Sequence, residues 1–389
     1  MRILIAPDSF KGSLSAVEAA DALRQGTAKI FPQAAFDILP IADGGEGTVA
    51  ALVAATQGKF FSSEARGPLG APVTATWGLL GDGHSAVVEM AAASGLPLVP
   101  EGERNVLTSC TYGTGEVLAA ALEKLHASSS GAKRPRLFFG IGGSATNDAG
   151  AGALRALGVI LHTAKGEELA PGGAALSSLA RIDASNIHPL LAKTDIYIAC
   201  DVNNPLCGPL GASAVFGPQK GATPEHVAEL DAALAHFAHI AGKATGKDVA
   251  LLPGAGAAGG FGAGMLFFTN ATLCSGVSLV LEFTDFAARA AAADLVITGE
   301  GHTDFQTAHG KAPAGVAKEA KKHKKPVICI SGGLGCGYTD IYPAGADAAM
   351  SSICSVMTLE ECIRNAAPML TDAAERACRL VKIGMELGG

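Results

Sequence analysis

Strand and helix signals alternate at both ends of this chain and stop doing so in the middle. Ile3 to Ala6 is a short apolar run, a helical pattern spans Ala16 to Ile30, a second run covers Phe36 to Ala42, and another helix begins near Thr48. After Phe283 the alternation resumes, with a helix to Ala293, apolar runs at Leu295 to Thr298, Val327 to Ser331 and Ala348 to Ile353, a helix from Ala314 to Lys322, and a terminal helix from about Asp372. Such alternation builds a parallel sheet with helices on its faces. Together the two ends supply the five strands of a doubly wound sheet. Ser15-Ala16-Val17-Glu18 is a capping box that fixes where the first helix starts.

Between the ends the pattern changes. Ala71 to Leu80 and His84 to Ala91 are short runs joined by the turn Gly81-Asp82-Gly83, so an antiparallel module begins here. A helix around Gly115 to Leu125, buried strands at Leu137-Phe138-Phe139 and Thr194 to Cys200, and a helix opened by Thr223-Pro224-Glu225 follow. The fold predicted is α/β, with residues 1–62 and 286–389 forming one doubly wound domain and residues 63–285 a mixed α/β insert.

Composition narrows the function. With 389 residues, 49% hydrophobic and 17% charged, the chain can fill two cores. A net charge of −7 with scattered cations argues against nucleic acid, and Lys321-Lys322-His323-Lys324-Lys325 reads as a cationic helix end. Nine cysteines without a CxxC pair give neither a disulfide framework nor a zinc signature. With no signal-peptide pattern and no long apolar span, the expectation is a cytoplasmic chain with no membrane partner. A homo-oligomer is compatible with the sequence.

The 50 glycines gather in loops after strands, where an open α/β sheet binds its ligands. Asp8-Ser9-Phe10-Lys11-Gly12-Ser13 places a carboxylate, hydroxyls and a lysine before a helix N-terminus suited to an anion. Asp43-Gly44-Gly45-Glu46-Gly47-Thr48 offers paired acids for a base or an indirect Mg²⁺ contact. Gly142-Gly143-Ser144-Ala145-Thr146-Asn147-Asp148 combines glycines with groups for phosphate or metal contacts, and a helix is expected after it. Asp201 and Asn203 follow another strand, and Gly254, Gly256, Gly259 and Gly260 lie in a loop suited to close approach by a nucleotide or to a linker. Thr298-Gly299-Glu300 to Asp304, Gln306 and Lys311 closes the series.

Five of these segments, in order along most of the chain, resemble the bacterial glycerate kinase family: Ala6 to Gly12, Ile41 to Thr48, Gly142 to Asp148, Asp201 to Pro205, and Thr298 to Lys311. The resemblance implies a flavodoxin-like domain with an inserted α/β domain, ATP and Mg²⁺ as co-reactants, D-glycerate as acceptor, and 2-phosphoglycerate in preference to 3-phosphoglycerate as product. Ala149 stands where the family commonly has Gly, and His302-Thr303 where Arg or Lys is common.

Phosphoryl transfer needs positioned charge more than covalent chemistry. Lys11 and Lys311 are assigned to anionic groups, and Asp43, Asp201 and Asp304 are the candidates for base or metal-directing acid. Asp8, Ser9, Glu46, Ser144, Asn147, Asp148, Asn203, Glu300 and Gln306 are assigned to substrate, and Gly142 and Gly143 with the later four glycines to nucleotide. Loops at both chain ends and in the insert predict domain closure over a shared cleft. The alternatives are a nicotinamide-dependent oxidoreductase of a small hydroxy acid and a non-enzymatic small-acid binding protein. The glycine spacing disfavours the first, because the loop Gly140 to Asp148 carries G-x-G-G and not G-x-G-x-x-G. The density of acids and lysines disfavours the second.

Overall fold

The computed structural model describes residues 1–129, 131 and 133–388. Two units emerge from its contacts, residues 1–43, 50–57 and 277–389 in the first and residues 44–49 and 58–276 in the second.

The first unit carries a five-stranded, wholly parallel sheet made of Arg2–Ile5, Ala35–Ile38, Leu295–Thr298, Val327–Ser331 and Ala348–Ser351. Numbered along the chain they lie in the order 2-1-3-4-5, the flavodoxin-like order. The direction of the chain reverses across the sheet between the first and third strands, where Ile3 sits opposite Leu295. Ile3, Ile5, Leu23, Leu295, Ile297 and Leu370 are fully or nearly fully buried in one core, each worth about 1.5–3 kcal/mol of burial. The capping box starts the helix Ala16–Ile30 as expected, and this helix packs along Ala366–Gly388.

Several boundaries differ from the sequence reading, two of them at prolines. The second strand ends at Ile38, although Leu39 and Ile41, on either side of Pro40, still donate to the carbonyls of Ile5 and Pro7; Pro40 falls where this edge strand needs no amide. The terminal helix starts at Ala366, since Pro368 falls in its first turn, where a missing amide costs nothing.

The second unit holds a six-stranded mixed sheet in the order Thr272–Cys274, Asp195–Ala199, Arg136–Gly140, Ser85–Glu89, Pro72–Leu79, Lys59–Arg66. Its first four strands run parallel, and the last two join antiparallel. The turn at Asp82 is held by its carboxylate, which accepts from the amides of His84 and Ser85. One core gathers Trp77, Phe139 and Phe261; a second, with Leu206, Leu234, Phe237 and Phe267, lies against the helix Pro224–Thr245.

Candidate active site

All five strands of the first sheet point their carboxyl ends at one rim, and the loops that follow line a cavity of about 530 Å³. The first loop brings Asp8, Ser9 and Lys11 to the cavity, the second Asp43, and the third Glu300 and His302, with Lys311 further on. The switch between the first and third strands sets Asp8 and Glu300 side by side, for the Asp8 amide donates to the Gly299 carbonyl at 2.8 Å.

Burial pushes the Asp8 carboxyl up to about 7, and Asp43 adds to the rise, against a 2.6 Å hydrogen bond from the Ser9 amide. Burial likewise raises Glu300, which accepts from Thr307 Oγ1 at 2.6 Å and Thr303 Oγ1 at 3.2 Å. Its other oxygen lies 3.8 Å from Lys311 Nζ. Lys311 also lies 3.8 Å from Asp304 Oδ1, but Asp304 and Gln306 do not line the cavity. Asp304 instead accepts from the Gln306 amide at 2.9 Å and shapes the turn. The helix start after Lys11 is taken by its own capping box, which leaves the lysine as the cationic group that this loop brings to the cavity. Three carboxyls crowded beside two lysines make a donor set that suits a divalent cation delivered with phosphate, which Mg²⁺ takes through one or two carboxylates. Among the described residues no protein-only metal cage of three or more acidic, His or Cys side chains occurs.

In the second unit the expected residues gather at the carboxyl edge of the second sheet but divide by exposure. Gly142 and Gly143 are exposed after the strand Arg136–Gly140, and Gly143 has a φ of +72°, which turns the chain sharply. Asn147 and Asp148, expected to contact substrate, are fully buried and bonded within the protein. Asp148 accepts from the Thr111 amide and hydroxyl, at 2.9 and 2.8 Å, and from the amides of Gly150 and Gly152. Burial pushes its carboxyl up while these four donors oppose the rise. Asn147 donates to Ser213 Oγ at 2.9 Å. No helix follows directly; Ala149 adopts a φ of +52°, which explains why Gly suits that position, and the next helix is Ala151–Ala156.

Glu46 and Asn203 are exposed. Asp201 accepts from the Gly276 amide at 3.1 Å, at the start of the helix Gly276–Phe283. Gly254, Gly256, Gly259 and Gly260 are buried, and a Cβ at each would run into Cys200, Pro205, Thr146 or Leu206 respectively. The chain's packing on itself is enough to account for those four glycines, which were assigned to nucleotide.

A model of the glycerate kinase family matches residues 3–382. The chain belongs to the glycerate kinase family. It is 50% identical over 383 residues to a glycerate kinase of Bacillus subtilis (strain 168), covering 98% of both chains. It is 47% identical over 389 residues to a glycerate 2-kinase of Escherichia coli (strain K12), covering 100% of both. A crystal structure provisionally named glycerate kinase 2, from Salmonella typhimurium LT2, is similar over 99% of both chains at 47% identity and a TM-score of 0.90. The chain is therefore a kinase, and neither the oxidoreductase nor the non-enzymatic reading is favoured. Among the described residues no helix is long and apolar enough to cross a membrane.

Within this glycerate kinase family member, the sequence reading missed three residues. Lys220 is 2% exposed, and its ammonium donates to Ser144 Oγ at 2.9 Å and to the Thr146 carbonyl at 2.7 Å. Burial pulls its pKa down to about 7, with Asp148 opposing. Glu89 accepts from the Val49 amide at 2.6 Å and so fixes the turn that carries Glu46. Leu359 lines the first unit's cavity on its apolar side.

Proposed function

We propose that this chain is an ATP-dependent, Mg²⁺-requiring glycerate kinase that converts D-glycerate to 2-phosphoglycerate and ADP in the cytoplasm. The single observation that carries the reading is the convergence of Asp8, Lys11, Asp43, Glu300 and Lys311 on one cavity at the carboxyl rim of the flavodoxin-like sheet. The relatives named glycerate kinase and glycerate 2-kinase support the acceptor and the product. The nine unpaired cysteines are consistent with a reducing compartment.

In this reading Lys11 and Lys311 neutralise the charge that spreads over the phosphoryl oxygens in a loose transition state. Glu300 holds Lys311 from one side, so the ammonium is aimed into the cavity. Asp8 takes the proton of the acceptor hydroxyl, because a carboxyl held near neutrality exchanges a proton at working pH. Asp43 directs the cation, and Mg²⁺, when bound with the nucleotide, would add charge neutralisation at the phosphates. The exposed Gly142-Gly143 turn and the Ser144 hydroxyl supply donors for a carboxylate or phosphate. Ser9, Glu46, Asn203 and Asp201 remain candidate contacts at their respective sheet rims. ³¹P NMR of the product from ATP, Mg²⁺ and D-glycerate tests activity and regiochemistry together; a 3-phosphoglycerate resonance alone would overturn the product assignment, and no phosphoglycerate would overturn the activity.

A further inference from the structure

The cavity at the rim of the first sheet has two unlike walls. One carries Asp8, Lys11, Asp43, Glu300 and Lys311; the other is built from Ile353, Leu359, Cys362, Ile363, Ala366 and Met369. Leu359, Cys362, Ile363 and Ala366 follow the i, i+3, i+4, i+7 spacing by which a helix normally faces a core. Here that stripe faces the cavity. The short helix Leu359–Arg364 is pinned by a capping box between Thr358 and Glu361, which fixes the stripe's direction. Leu359 remains 76% exposed, Ile363 41% and Ile353 38%, so this wall lacks a partner for its apolar surface.

At about 530 Å³ the cavity is in the range that holds a drug-sized ligand, and a small hydroxy acid fills only a fraction of it. Its occupant must be anionic at one end and flat or apolar at the other. We propose that the nucleobase of the phosphoryl donor lies against Ile353, Leu359 and Ile363, with its phosphates toward Lys11 and Lys311, and that this wall discriminates bases only weakly. The second part follows from the wall's polar groups. Ser352 is buried with its hydroxyl toward the Gly332 carbonyl, and Cys362 offers only a weak thiol donor. A site rejects an analogue strongly when it is built to hydrogen-bond the missing group, and an apolar wall is not so built. The inference rests on the kinase reading above and adds the base subsite to it.

The test is steady-state kinetics of the wild-type chain and of Leu359→Ser/Ile363→Ser with ATP, GTP and inorganic tripolyphosphate, at saturating Mg²⁺ and D-glycerate. Wild type should use ATP and GTP with kcat/KM values within about tenfold of each other. The double variant should raise the KM for both nucleotides by about tenfold or more, with a much smaller fall in kcat and no change in the KM for glycerate. Any KM for tripolyphosphate, which has no base, should not move. A thermal midpoint near wild type would confirm folding, and Ile353→Ser is a second variant if the first does not fold. Unmoved nucleotide KM values, a preference for ATP above a thousandfold, or a change in oligomeric state in place of the kinetic change would each overturn the base pocket while wild-type turnover keeps the kinase reading. Absence of nucleotide-dependent turnover in wild type would remove both.

Discussion

Lys220 donates from a fully buried ammonium to Ser144 Oγ at 2.9 Å. A hydroxyl that accepts from an ammonium has its single proton left to give, so Lys220 makes Ser144 a donor at the edge of the exposed Gly142-Gly143 turn. Lys220→Met should leave the Thr146 carbonyl without its charged donor and raise the KM for one of the two anionic substrates by tenfold or more.

The same lysine gives a stability signature with a definite sign. Its folded pKa of about 7 lies below the ordinary 10.5, so between these values the unfolded state binds more protons and stability rises with pH. Urea unfolding of wild type against Lys220→Met should therefore show a difference that moves in favour of wild type from pH 7 to pH 10, by at most about 5 kcal/mol. A pH-independent difference would mean that folded Lys220 keeps its ordinary pKa, its ammonium well solvated or fully paired.

Asp148 should behave as a brace. Asp148→Ala leaves four buried donors without an acceptor, each costing about 1–3 kcal/mol, so a loss of at least about 3 kcal/mol in urea unfolding is expected. A loss below about 1 kcal/mol would show that the loop closes up without it.

These two residues mark where sequence stops being informative. The strands Leu295–Thr298 and Val327–Ser331 and the helix Ala16–Ile30 were legible to the residue, because apolar runs and a capping box are local signals. Asp8, Lys11, Asp43, Glu300 and Lys311, which share one cavity, stood out in the sequence because each follows a strand in a glycine-bearing polar loop. Lys220 sits in a Pro-Gln-Lys-Gly turn with no periodicity, and only burial distinguishes it from a surface lysine. Asp148 is ambiguous for the same reason: Ser, Thr, Asn and Asp after glycines serve a ligand or a turn equally well. Gly254 to Gly260 looked like a ligand loop because close approach of backbone to backbone leaves the same glycine signature as approach to a nucleotide.

The two cavity lysines should separate activity from stability. Lys11 is exposed and Lys311 half-exposed with ion pairs at 3.8 Å, so alanine at either should change unfolding free energy by no more than about 1 kcal/mol. Loss of either charge from the phosphoryl site should lower kcat/KM by roughly a hundredfold or more. Wild-type kinetics in either variant would remove that lysine from the site.

Among the acids first considered as bases, Asp43→Asn should cost most activity, since Asp43 alone of Asp43, Asp201 and Asp304 lines the cavity. Asp304→Asn should act indirectly through Lys311, and Asp201→Asn, whose amide oxygen can still accept from the Gly276 amide, should change activity least. Near wild-type kcat in all three would refute the carboxylate assignment.

Asp8 ties the pH dependence of activity to that of stability. Its folded pKa of about 7 lies above the ordinary 3.8, so across this window the native state holds a proton that the unfolded chain has released. Its stabilising contribution is present below pH 3.8 and is lost as pH rises through 7. Asp8→Asn removes that loss, so in cation-free buffer the variant should gain on wild type from pH 4 to pH 7 and level off above, by at most about 4 kcal/mol. Its kcat should fall by a hundredfold or more, because the amide cannot take the hydroxyl proton. Wild-type kcat/KM should rise with pH along an acid limb centred near 7. In Asp43→Asn the residual activity should carry that limb to lower pH, since Asp43 is the second cause of the rise after burial. A flat wild-type profile between pH 5 and 8, or a limb that Asp43→Asn leaves in place, would take the base role away from Asp8.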